Sequence, residues 1–91
     1  MSLRGHVVRI DWEDHYSVNN GWQYYSEVNT EPFNEIICSS VGLVIGDQKS
    51  KLVLAQTWHP AGKDDHKIAD FMVILKGCIR KVTILQKKVM K

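Results

Sequence analysis

No stretch of this chain reaches the roughly 18 consecutive apolar residues that a membrane-spanning helix requires, so no membrane association is expected. The nucleophile motif Gly-x-Ser-x-Gly is absent, and so is a glycine-rich phosphate loop. The sequence therefore offers no elbow serine for acyl transfer and no backbone cradle for a nucleotide. There are only two cysteines, Cys38 and Cys78, too few for a zinc ribbon. Both lie in apolar, strand-like surroundings and are expected as buried thiols of a cytosolic protein; a single disulfide between them would require export. The first residues, MSLRGHVV, lack an apolar signal core and a small-residue cleavage site, so a cytoplasmic location is expected. Repeats, low-complexity segments and a second domain are also missing. The 91 residues are expected to form one small domain spanning 1–91, with a core too small to enclose a large cavity.

Charge of one sign is missing from two segments. Residues 11–35 hold six acids (Asp11, Glu13, Asp14, Glu27, Glu31, Glu35) and no Lys or Arg. Residues 76–91 hold six bases (Lys76, Arg80, Lys81, Lys87, Lys88, Lys91) and no acid, so a net charge of +2 hides two opposed blocks. Either the blocks lie side by side and partly cancel, or the basic edge of one copy meets the acidic loop of another, head to tail.

What is present is strand pattern. Residues 6–12 alternate Val8, Ile10 and Trp12 with Arg9 and Asp11. In residues 35–45, Ile37, Val41, Leu43 and Ile45 share a parity, and in 51–58 so do Leu52, Leu54 and Trp58. Residues 68–75 are apolar on both faces, and 81–86 form a fifth strand-like segment. Gly46-Asp47-Gln48-Lys49-Ser50 is a polar hairpin connection. Residues 59–67, with Pro60, Gly62, Asp64 and Asp65, form a longer turn. Residues 13–34 make a long connection containing Tyr16, Trp22, Tyr24, Tyr25 and Phe33. A segment so long and so aromatic is expected to be ordered and functional, with a short helix or an irregular strand over 21–28. Helix signals are weak elsewhere, and five short strands predict an all-β small barrel.

The run FMVILKGCIRKVTIL, residues 71–85, breaks its alternation after Leu75, because Ile79 and Val82 are three apart. A single 3-10 turn, with Gly77 relaxing the backbone, accounts for the break and forms a corner before the last strand. Ile74-Leu75-Lys76-Gly77-Cys78-Ile79-Arg80-Lys81-Val82 resembles the closing corner of SH3-type barrels, and Val8-Arg9-Ile10-Asp11-Trp12-Glu13 is compatible with their first strand and acidic long loop. The resemblance implies a five-stranded antiparallel SH3-like small barrel with a long first loop and a 3-10 turn before the last strand. The chain also looks like short, uncharacterised phage and prophage proteins. There Ser40-Val41-Gly42-Leu43-Val44, Leu52-Val53-Leu54-Ala55-Gln56 and the Lys76-Gly77-Cys78-Ile79 corner recur in this order. Cys78 stands where proline-motif binders carry a corner aromatic. Gly77 is followed by Cys78-Ile79, unlike the Sm-type RNA ring proteins. Neither activity is implied, and fold alone supplies none.

Candidate chemistry is sparse. His59, Asp64, Asp65 and His66 surround one turn and are metal ligands by type, but their spacing matches no closed zinc motif, so neither metal nor cofactor is expected. Asp11, Glu13, Asp14 and His15 end the first strand. Acid–base work there would also need a pocket and an oxyanion partner, and an enzyme is not expected. Nucleic acid could stack on Trp12, Trp22, Tyr24, Tyr25 or Trp58 while Arg80, Lys81, Lys87 and Lys88 meet phosphates. Most of these aromatics are, however, expected to be core or loop-packing residues. The favoured expectation is a non-enzymatic interaction or assembly module contacting an unidentified protein partner through Trp22, Tyr24 and Tyr25, with a homo-oligomer expected. The alternative is a nucleic-acid-binding barrel that uses the basic C-terminal segment.

Overall fold

A computed structural model describes residues 2–17, 19, 21–31, 33–60 and 65–90. Gly62 and Asp64 of the longer turn, and Lys91 of the basic block, lie outside the described residues. Among the described residues there are five strands: β1 (Val7–Asp14), β2 (Ile36–Asp47), β3 (Lys51–His59), β4 (Lys67–Leu75) and β5 (Ile79–Gln86). They form one antiparallel sheet in the order β4-β3-β2-β1-β5. The all-β expectation holds. The strands overrun the apolar pattern at several ends, because ladder hydrogen bonds continue where side chains turn polar. Thus β1 pairs with β2 down to Asp14 opposite Ile36. The sheet is not closed: β4 and β5 are its two edges.

Alternation sets the faces. Val8 and Ile10 of β1 stand opposite Gly42 and Ser40 of β2, and opposite Ile84 and Val82 of β5. They bury completely with Val44, Leu52, Leu54 and Ile74, and Leu3, Trp12, Met72 and Ile79 pack against this cluster. Two sequence features shape the β2–β3 junction. The pairing shifts between Val44 and Gly46, which brings Asp47 opposite Leu52. Gly42 lies so close to β3 that a Cβ there would sit 2.5 Å from the Ala55 carbonyl oxygen. Such an approach requires glycine.

The core is aliphatic. Trp12 is half-buried, its indole Nε1–H donating to Ser40 Oγ at 3.0 Å, but Trp22, Tyr24 and Tyr25 are exposed. The expectation that most of Trp12, Trp22, Tyr24, Tyr25 and Trp58 are core or loop-packing residues does not hold at Trp22, Tyr24 and Tyr25, the three also expected to be open to a partner. β4, apolar on both faces in sequence, buries Ile74 and exposes Phe71, Val73 and Leu75. An edge strand has a neighbour on one side only, so its second apolar row stays uncovered.

The expected 3-10 turn is present at Lys76–Cys78, between β4 and β5. Its cause differs from the expected one. Gly77 is not among the residues with positive φ, and a Cβ there would meet nothing within 4 Å. Contacts hold the turn instead: Lys76 N–H donates to the Ser50 carbonyl at 2.8 Å, and Lys76 Nζ reaches Asp47 Oδ1 at 2.6 Å. Asp47 Oδ2 also accepts the Leu3 N–H at 2.8 Å, so one carboxylate ties the N-terminal segment, the β2–β3 turn and the corner together. Cys38 and Cys78 are free and half-buried rather than buried. Strand β1 lies between them, with Trp12 opposite Cys38 on one side and Ile79 on the other.

The radius of gyration is 17.7 Å and the extents are 61 × 25 × 20 Å. A compact domain of this length has a radius of roughly 12 Å. Two parts extend from the sheet: the connection between β1 and β2, whose described residues are exposed throughout 15–35, and the outer β3–β4 hairpin, which beyond Ala55 is no longer paired with β2.

Candidate interaction arm and basic end

Residues 15–35 form an arm that leaves the sheet at the end of the β1–β2 hairpin. At its base the Tyr16 hydroxyl donates to the Asn34 carbonyl at 2.8 Å, joining the two limbs. Short polar side chains bend the backbone further out. Asn19 Oδ1 accepts the Gly21 N–H at 3.3 Å, and Asn29 Oδ1 accepts the Glu31 N–H at 3.1 Å. Gly21 has φ 79°, the left-handed conformation glycine tolerates. Tyr25–Glu27 form a 3-10 turn, a short helical element within the segment where a short helix or an irregular strand was expected.

The arm carries its aromatics outward. Trp22 is 104% exposed, Tyr25 98% and Tyr24 77%. Trp22, Gln23, Tyr24 and Glu27 line an open notch of about 540 Å³. Two aromatic rings and a carboxylate facing the same space can hold an apolar group or a cationic side chain.

The acidic cluster at the end of β1 is dispersed into separate contacts. Ser39 Oγ donates to Asp11 Oδ1 at 2.6 Å, and Arg9 Nε donates to the same oxygen at 3.0 Å. The Ser39 hydroxyl, more than the Arg9 guanidinium, holds the Asp11 carboxyl below its ordinary value. Glu13 Oε1 accepts from Arg80 Nη2. Asp14 Oδ1 accepts the His15 N–H at 2.9 Å. At the β3–β4 turn, His59 and Asp65 are exposed and Asp64 lies outside the described residues. Among the described residues no group of three His, Cys, Asp or Glu side chains is placed to hold a metal ion. Also among them, no helix is long and apolar enough to cross a membrane.

The four C-terminal cations do not share one groove. Arg80 pairs with Glu13, and Lys81 stands opposite Asp11, so half of the set faces carboxylates near the arm. Lys87 and Lys88 lie at the far end of β5. There Lys88 Nζ donates to the Arg4 carbonyl at 3.2 Å, and Lys88 N–H donates to Nδ1 of the buried His6 at 2.8 Å. Arg4 therefore joins Lys87 and Lys88 in a basic end. No local signal in the sequence could have found that association, because 84 positions separate Arg4 from Lys88. The two charge blocks thus cancel in part, at Arg80–Glu13 and Lys81–Asp11. The remainder sits at opposite ends: Glu27, Glu31 and Glu35 on the arm, and Arg4, Lys87 and Lys88 at the other end. No protein-family model, no curated protein and no solved structure matches this chain.

Proposed function

We propose that this chain is a non-enzymatic interaction or assembly module of the phage type, built on an SH3-like small barrel and working in the cytoplasm of a bacterial host. Its contact element is the arm bearing Trp22, Tyr24 and Tyr25. The observation that carries this reading is the exposure of those rings on a segment closed at its base. Exposed aromatic clusters on one element are the residues that anchor protein contacts. The strand order β4-β3-β2-β1-β5, the long connection after β1 and the 3-10 turn before β5 support the barrel reading.

Immobilised protein tests the function. Wild type should capture a partner from bacterial extract, either a second copy or another protein. A Trp22→Ala/Tyr24→Ala/Tyr25→Ala variant with unchanged circular dichroism should lose it. Identical capture by both would refute the reading. The second reading, a nucleic-acid-binding barrel using Arg80, Lys81, Lys87 and Lys88, is favoured by the uncompensated cations at the basic end. Titrating single-stranded DNA or RNA at two salt concentrations should then quench tryptophan fluorescence in a salt-sensitive way. Silence at low salt removes it.

A further inference from the structure

We propose that the notch formed by Trp22, Tyr24 and Glu27 receives the Lys87 side chain of a second copy of this chain, so that copies associate arm to basic end. The proposal rests on the arm being the interaction element and names its partner. The notch has the chemistry that recognises a primary ammonium: aromatic faces attract a cation through their quadrupole, and a carboxylate completes the pair. The charge is complementary. Among the described residues Glu27, Glu31 and Glu35 make no ion pair, and neither does Lys87 or Lys88.

The geometry excludes the contact within one chain. Arm and basic end sit at opposite ends of β1, whose eight residues span roughly 23 Å. A second copy has no such restriction. The chain exposes 7085 Å², whereas a compact monomer of this mass exposes roughly 5,400 Å². The excess on one chain is larger than the roughly 800 Å² that each partner buries in a standard protein–protein contact. A contact joining two different patches is heterologous, so repetition gives a closed ring or an open filament.

Sedimentation velocity on the full chain, across a wide concentration range at low and high salt, tests this with two exposed charge reversals, Glu27→Lys and Lys87→Glu. Wild type should associate at low salt and less at high salt. Each variant alone should associate at least about tenfold more weakly. An equimolar mixture should regain wild-type association, because it restores one native Glu27–Lys87 contact and creates one with the charges exchanged. Circular dichroism checks that both variants are folded. A wild type that stays monomeric at every concentration, or variants that associate as strongly as wild type, would overturn the proposal. If wild type is monomeric while the alanine variant still loses capture of another protein, this inference fails and the arm's role stands. If capture is unaffected as well, both fail.

Discussion

At the scale of single residues, the glycines separate what the chain requires from what it tolerates. Gly42 is pressed against the Ala55 carbonyl, so Gly42→Ala must force β2 and β3 apart. A cost of about 1–3 kcal/mol is expected in urea denaturation. Gly77 has open space and no positive φ, so Gly77→Ala is expected to be neutral or to stabilise by about 0.4–1 kcal/mol through the unfolded chain. A large loss at position 77 would mean that the corner does need glycine's freedom. Asp47 gives a pH-dependent prediction. The Leu3 N–H first, and Lys76 second, hold its carboxyl below the ordinary value. A folded-state value below the unfolded one means that the stabilisation is complete above the unfolded value of about 3.9 and is lost as pH falls through the lower, folded value. Asp47→Asn should therefore cost about 1–2 kcal/mol at neutral pH. The gap to wild type should shrink below about pH 4. A gap independent of pH would show that the charge on Asp47 contributes nothing.

At the scale of elements, the strands were legible because alternation is local. Val8, Ile10 and Trp12, or Leu52 and Leu54, state their shared face within a few residues. The corner after Leu75 was legible for the same reason, although its anchors, Ser50 and Asp47, lie in another hairpin and left no local mark. Two things were not legible. Residues 68–75 read as a strand apolar on both faces, and apolarity does not report sheet position; β4 is an edge and leaves Phe71, Val73 and Leu75 exposed. The aromatics of the arm read two ways, as partner contacts or as packing residues, because nothing in Trp22, Tyr24 or Tyr25 tells whether a neighbour is present to cover them. The arm's form depends on few bonds, so it should be separable from the core. Tyr16→Phe removes the Tyr16–Asn34 hydrogen bond and should speed proteolytic cleavage within residues 17–33. The thermal midpoint should move by no more than about 3 °C. Unchanged cleavage would mean that other contacts hold the arm.

At the scale of the whole molecule, the charge pattern and the shape belong to one arrangement. Of the acids of β1, Glu13 pairs with Arg80, and Asp11 is held by Ser39 and Arg9 with Lys81 opposite it across the sheet. The acids of the arm, and the cations around Lys87, are carried to opposite ends of an elongated body. The sequence left open whether the two blocks neutralise each other or face outward. The register of β5 on β1 does some of each, and no count of charges could have divided them. All of this depends on the arm standing away from the sheet rather than folding over the uncovered apolar rows of β4 and β5. Small-angle X-ray scattering on monomeric protein, at low concentration and high salt, measures that directly. A radius of gyration close to 17.7 Å is expected. A value near 12 Å, that of a compact domain of this length, would contradict it.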